Sequence, residues 1–171
     1  MPDAWNEAFN LIKDYLQYLG SRIIDVGTGF GTLTNFLLEN TYAEIVSIDP
    51  DELALQKAKI NFEKYIKQQR LKLYKASGEN IPFADKYFDS AISMMSMHHV
   101  SNISKGIREM MRVSKKILII VDWKPNAAGV FNPHSADELK IKMSQVISEM
   151  QKLQASIVNG EYWYGCILKL K

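Results

Sequence analysis

Short apolar runs alternate along this chain with segments whose apolar residues recur every three or four positions. The runs indicate buried strands and the periodic segments indicate helices. The predicted strands lie at residues 22–26, 44–49, 71–74, 88–94 and 117–121, and a helix that begins at Asp51 and Glu52 and ends in Lys64 and Lys67 is predicted after the second strand. Strands that alternate with helices form right-handed βαβ units, so the pattern predicts a parallel sheet with helices on both faces.

The two ends of the chain complete this prediction. Residues 1–20 carry a helical stripe and end at Gly20, where a C-terminal cap is expected. A capping box at residues 135–138 begins another helix, and the turn at Asn159 and Gly160 indicates a final hairpin. We therefore expect a doubly wound, Rossmann-like α/β core over residues 21–171. Its sheet should be mainly parallel, with a C-terminal antiparallel hairpin. Residues 1–171 should form one domain.

Composition limits the partners and the location. The 21 basic and 19 acidic residues create no strong positive field, which disfavours a nucleic-acid partner. No run approaches the roughly 18 apolar residues that cross a bilayer, and no secretory signal precedes the first helix. The lone Cys166 cannot form an internal disulfide. These features predict a cytoplasmic protein without a membrane contact.

The loop after the first strand contains three glycines, Gly27, Gly29 and Gly31, spaced two apart. A dinucleotide-binding motif that starts at Gly27 would need glycine at position 32, where this chain has threonine. Asp25, at the end of the strand, would repel a pyrophosphate but favour ammonium and sulfonium charges. The loop therefore predicts S-adenosylmethionine (SAM) rather than a nicotinamide dinucleotide, and a dehydrogenase is the outside alternative.

Asp49 ends the second predicted strand, where an acidic side chain can accept both hydroxyl groups of a ribose. Ligands of doubly wound sheets bind beyond the carboxyl ends of the strands, near the point where the strand order reverses. We therefore expect the glycine loop and Asp49 to meet at one ligand.

Several segments resemble one enzyme family, in order and at matching spacings. Ile23–Gly31 resembles the first motif of class I SAM-dependent methyltransferases. Ser77–Phe83 with Tyr87–Ala91 is similar to a segment pair of the type 11, ubiquinone/menaquinone methyltransferase-like family, as are Met97–Val100 and Arg108–Val113. The resemblance implies a seven-stranded sheet, SAM in its crevice, and methyl transfer to an acceptor above it.

The resemblance and the loop together give a set of cofactor-binding residues. Glu79 and the backbone of Gly78 are implied near the adenine, and Ser77 stands where many relatives have aspartate, which alters that contact. The predicted set is Asp25, Gly27, Thr28, Gly29, Gly31, Asp49, Pro50, Ser77, Gly78, Glu79 and Met94.

His98 and His99 follow the fourth strand, on the rim where an acceptor would lie, and either could be a catalytic base. The alternative is that the pair packs locally at the strand end. Adjacent histidines on an extended segment point to opposite sides, and His134 is the only other histidine. Asp122 could join one of them, but one carboxylate and one imidazole make a poor set of metal ligands. No metal site is therefore predicted.

Residues 123–134 form a predicted loop that could cover the acceptor pocket.

The leading hypothesis is a SAM-dependent methyltransferase acting on a small-molecule acceptor, its pocket completed by a second copy, a partner subunit or the acceptor itself. The alternatives are a SAM-binding regulatory subunit without its own activity, and a methyltransferase acting on RNA or protein.

Overall fold

The computed structural model describes residues 3–171, which form one seven-stranded sheet with helices on both faces. The strands are β1 (Arg22–Val26), β2 (Glu44–Asp49), β3 (Leu71–Lys75), β4 (Phe88–Met94), β5 (Ser114–Trp123), β6 (Ser156–Asn159) and β7 (Trp163–Lys169). The helices are α1 (Ala4–Lys13), α2 (Thr32–Asn40), α3 (Glu52–Asn61), α4 (Glu63–Lys67), α5 (Ile103–Val113) and α6 (Ala136–Lys152).

The strand order is β3-β2-β1-β4-β5-β7-β6. Strands β1 to β5 run parallel, while β7 runs antiparallel to both β5 and β6. The predicted architecture, mainly parallel with a C-terminal antiparallel hairpin, is therefore confirmed.

Neighbouring residues of each central strand face opposite cores. In β1, Ile23 packs with residues of α1 and α2, whereas Ile24 packs with residues of α5 and α6. Both side chains are fully buried. This explains why the central strands appear in the sequence as largely apolar runs: a strand covered by helices on both sides needs apolar side chains at most of its positions.

The chain reverses its direction across the sheet between β1 and β4. Strands β1, β2 and β3 succeed one another toward one edge, and β4 then returns to the other side of β1. The helices that follow β1 and β4 lie on opposite faces of the sheet, so a crevice opens at the carboxyl ends of these strands. This topology places residues 27–31 and 95–99 side by side.

Three boundaries differ from the predicted ones. The N-terminal helical segment is divided into α1 and a 3-10 turn at Leu16–Tyr18, and Gly20 adopts a left-handed conformation with φ of +79°. The helix expected to continue from residue 51 to residue 67 breaks at Phe62 into α3 and α4. Strand β5 is longer than its apolar run because its ends pair with β4 and β7 through the backbone.

Candidate functional site

The glycine loop is held against β2 by its own backbone. The N–H groups of Gly27 and Thr28 both donate to the carbonyl of Ile48, at 2.9 and 3.0 Å. Gly27 has a φ of +100°, and a β-carbon there would overlap the side chain of Ser96, in the loop after β4. Glycine is therefore required for the two loops to approach each other, which is a reason for this glycine beyond ligand binding.

Asp49 joins the glycine loop to the start of α3. One carboxylate oxygen accepts a hydrogen bond from the N–H of Gly29 at 2.9 Å, and the other accepts from the N–H of Asp51 at 2.8 Å. The structure thus brings the loop and Asp49 together; that they meet at one ligand stays a prediction. Each oxygen of a carboxylate has a second lone pair, so Asp49 can still accept a ligand hydroxyl.

A cleft of about 420 Å³ opens at this junction. Six of the predicted cofactor-binding residues line it: Gly27, Thr28, Gly29, Asp49, Pro50 and Met94. The predicted catalytic residue His99 lines it as well. The sequence reasoning missed Met95 and Ser96, although their place after β4 was a usable signal. Trp5 lines the cleft from α1, which makes that helix one wall of the site.

The structure corrects the predicted placement of Asp25. Its side chain is fully buried beneath the loop and does not line the cleft. One oxygen accepts hydrogen bonds from the hydroxyls of Thr34 (2.5 Å) and Ser47 (2.9 Å), while the other has no partner. Burial raises the pKa of Asp25 to about 7, although the two hydroxyl donors oppose that shift. Asp25 therefore supports the loop from beneath, and its contact with a ligand cation stays a prediction.

Gly31 and the 77–79 segment also stand outside the cleft lining. Gly31 begins α2 with a φ of +81°, and a β-carbon there would meet the ring of Phe62 at 2.5 Å. The carboxylate of Glu79 accepts the N–H groups of Ser101 and Asn102, at 2.9 and 3.0 Å. Buried Gly78 packs against β1. The contact of this segment with adenine stays a prediction.

His98 is buried and fixed on both ring nitrogens. Its Nδ1 lies 2.7 Å from one oxygen of Asp122, and its backbone N–H donates to the other oxygen at 2.8 Å. The side-chain nitrogen of Asn132 lies 3.1 Å from Nε2. Since an amide nitrogen donates, Nε2 accepts and the proton of the neutral ring is on Nδ1.

The structure also corrects the argument against a histidine cluster. Residues 97–99 form a 3-10 turn rather than an extended segment, so the rings of His98 and His99 lie on one side, with centroids 4.1 Å apart. The ring of His134 lies 5.2 Å from that of His98 and 5.0 Å from that of His99. Burial, and then the two neighbouring imidazoles, lower the pKa of His99, which favours its neutral form.

Residues 123–134 are more structured than the sequence suggests. They contain a 3-10 turn at Pro125–Ala127, and the ring of Phe131 stacks on that of Trp123 at 5.4 Å. The segment lies on the side of His98, to which Asn132 connects it, but contributes no residue to the cleft lining.

The fold and the site together define a class: a Rossmann-like, class I SAM-dependent methyltransferase. A family model described as "Methyltransferase domain" (type 11) matches residues 24–120, more than half of the chain. The chain belongs to this type 11 methyltransferase family, which implies SAM as the cofactor.

Individual relatives agree with this assignment. The ubiquinone/menaquinone biosynthesis C-methyltransferase UbiE of Geotalea uraniireducens is 33% identical over 100 residues, which are 56% of this chain and 42% of that protein. The chain thus spans less than half the length of that curated relative.

Solved structures show the same fold. A SAM-dependent methyltransferase from Aquifex aeolicus aligns with a TM-score of 0.76 at 21% identity, over 95% of this chain and 89% of that one. The (4+2)-cyclase SpnF aligns with a TM-score of 0.70 at 20% identity, over 92% of this chain and 61% of that one.

Among residues 3–171, the structure contains no helix long and apolar enough to cross a membrane.

Proposed function

We propose that this chain binds SAM in the cleft between the glycine loop and the loop after β4, and that it transfers the methyl group to a small-molecule acceptor. The observation that carries the proposal is the junction of Gly29 with Asp49 at the point where the strand order reverses. We also propose that residues 1–171 form one domain, which is supported by the single sheet that contains all seven described strands.

The residues of the cleft fit the cofactor. Gly29 has a φ of +48° and open space where a β-carbon would stand, so a ligand can approach the backbone there. Asp49 supplies a carboxylate to the same cleft, where it can accept the hydroxyl groups of a ribose. The bound cofactor supplies an electrophilic methyl group, and the chain has only to position the reactants and exclude water.

We assign the acceptor side of the cleft to Trp5, Met95 and His99, which contribute to its lining. Of the two predicted catalytic histidines, only His99 lines the cleft, so His99 is the one that we propose to contact the acceptor. His98 acts through its neighbours, because both of its ring nitrogens already have partners.

The acceptor pocket is open on one side. Phe30, on the rim of the cleft, is 91% exposed. A large apolar side chain this exposed beside a site suggests that the acceptor, a second copy of the chain or a partner subunit covers it.

A cytoplasmic location stays a prediction, supported by the lone, buried Cys166.

Calorimetry tests the cofactor assignment. Titrations of the chain with SAM, S-adenosylhomocysteine and NAD should give micromolar dissociation constants for the first two and no measurable heat of binding for NAD. Tighter binding of NAD than of SAM would overturn the assignment to this class.

Methyl transfer needs a separate assay, because the likeness to a cyclase shows that this fold also occurs in proteins with other named activities. Candidate acceptors, beginning with hydroxylated aromatic and quinol-like compounds, are incubated with SAM that carries a labelled methyl group. Label should appear in a small-molecule product. Firm SAM binding with label transferred only to protein or RNA, or to nothing in a broad panel, would contradict the small-molecule acceptor.

A further inference from the structure

We propose that His98, His99 and His134 form a binding site for a divalent transition-metal ion beside the cofactor cleft. These are all three histidines of the chain. They come from two segments: the 3-10 turn after β4 supplies two, and the end of the 123–134 segment supplies the third. One ligand nitrogen from each lies within 4.8 Å of those of the other two.

The donor set has the composition of an open metal site. Three imidazoles and a vacant fourth position are typical of a catalytic zinc centre, and imidazole also suits iron, copper and nickel. Nitrogens around a tetrahedral zinc ion are separated by roughly 3.4 Å at bond lengths of about 2.0–2.1 Å. Nitrogens that lie as far as 4.8 Å apart therefore need to approach by up to about 1.4 Å, a movement that rotation of the side chains of half-buried His134 and exposed His99 can supply.

The surroundings of His98 are those of a metal ligand. Asp122 holds the ring by Nδ1 at 2.7 Å, so the lone pair is on Nε2; the side-chain nitrogen of Asn132, 3.1 Å from Nε2, has to turn away when a metal binds there. A carboxylate behind a ligating histidine fixes the tautomer and increases the basicity of the free nitrogen. Asp122 is itself buried and also accepts the N–H of Trp123 at 2.8 Å, so it is held in place.

Asn132 connects the two halves of the site. Its nitrogen lies against Nε2 of His98, and its oxygen accepts the N–H of His134 at 2.8 Å. Glu138 stands 3.7 Å from Nδ1 of His134. The cluster thus has a carboxylate behind two of its three imidazoles, which favours a cation between the rings.

The location of this site suggests what it would do, and this step rests on the proposed function. His99 belongs both to the cluster and to the cleft lining. A metal held there would have its open position next to the acceptor, where it could bind an oxygen of a hydroxyl or enol group and favour the deprotonated form. His99 would then be a ligand rather than a base.

The test begins with the chain alone, free of any affinity tag and of SAM. Zn²⁺ is titrated by calorimetry, and bound metal is counted after dialysis. Co²⁺ is used as a spectroscopic probe of four-coordinate geometry. We expect one ion per chain, and visible Co²⁺ bands without the thiolate charge-transfer band that Cys166 would produce.

Variants separate the cluster from other surface groups. His99→Ala and His134→Ala should each weaken Zn²⁺ binding by at least tenfold, and Asp122→Asn should weaken it by about 10- to 100-fold, as expected for a group that orients a ligand. Asp137→Asn removes an exposed carboxylate three residues after His134 and should leave Zn²⁺ affinity unchanged. Circular dichroism checks that each variant is folded.

The outcomes are distinct from those of the SAM titrations. Zn²⁺ binding that is equally tight in the chain and in a folded His99→Ala/His134→Ala double variant would overturn the metal site, whatever the affinity for SAM. The metal site is equally wrong if no metal binds, or if Asp137→Asn weakens Zn²⁺ binding as much as His134→Ala does. Loss of SAM binding alone would contradict the proposed function and leave the metal site standing.

Discussion

Asp49 shows how one side chain can have two tasks. It accepts backbone N–H groups from the glycine loop and from the start of α3, and it faces the cleft. A carboxylate in this position fixes the shape of the crevice and, in the proposed complex, presents acceptors to the ligand.

Asp49→Ala should therefore weaken SAM binding by about 1–3 kcal/mol, the loss expected when charge-assisted hydrogen bonds disappear. Calorimetry measures the change, with Asp137→Ala on the exposed surface of α6 as the control. An unchanged dissociation constant in a variant with intact circular dichroism would remove Asp49 from the site.

The protonation state of Asp25, in contrast, cannot be derived from its residue type. An aspartate at a strand end suggests a charged group that faces a ligand. Burial under the loop instead raises its pKa from 3.8 to about 7. The folded chain then holds a proton that the unfolded chain releases, so the stability that Asp25 contributes is complete below about pH 4 and falls as pH rises toward 7.

Asp25→Asn removes this titration while keeping an oxygen that can accept from Thr34 and Ser47. The stability of the variant relative to the original chain should therefore increase between pH 4 and pH 8, by up to about 4 kcal/mol. Urea unfolding at both pH values measures the difference. If the two curves differ by the same free energy at pH 4 and pH 8, folding does not raise the pKa of Asp25 and the inferred effect of its burial is wrong.

The binding role of the glycine loop after β1 can be tested with a matched pair of glycine positions. Gly29 and Gly129 both have a positive φ (+48° and +71°), and a β-carbon at either would meet nothing within 4 Å. Replacement by alanine costs each a similar amount, about 1–2 kcal/mol for a left-handed residue. Only Gly29 borders the cleft.

Gly29→Ala should consequently lower SAM affinity by tenfold or more, because the added methyl group occupies ligand space, whereas Gly129→Ala should leave the affinity unchanged. Calorimetry and thermal melting on both variants separate binding from stability. Equal SAM affinities for the two variants would show that no ligand approaches Gly29.

Helix α6 is begun by the capping box that the sequence predicts. Ser135 accepts the N–H of Glu138 at 3.2 Å, and the carboxylate of Glu138 accepts the N–H of Ser135 at 2.9 Å. Ser135→Ala should lower the free energy of unfolding by about 0.5–2 kcal/mol. Ser144→Ala, in the middle of the same helix, is the control. Equal unfolding midpoints in urea for the two variants would contradict the cap.

At the scale of the whole molecule, the sequence contains most of the architecture and part of the site. The strands and the capping box could be predicted because apolar periodicity and capping are local signals. The junction of Gly29 with Asp49 could be predicted because topology determines which strand ends meet. The histidine cluster could not, because it depends on a 3-10 turn at residues 97–99 and on the path of a segment that ends 35 residues later.

The central claim is that the crevice between the glycine loop and the loop after β4 holds the cofactor. A crystal structure of the complex with S-adenosylhomocysteine tests it most directly. We predict the ribose hydroxyls about 2.6–3.2 Å from the carboxylate of Asp49, the amino-acid part of the ligand over Gly27 and Gly29, and the sulfur directed toward His99. A ligand found outside this cleft, or inside it with Asp49 turned away from the ribose, would contradict the account.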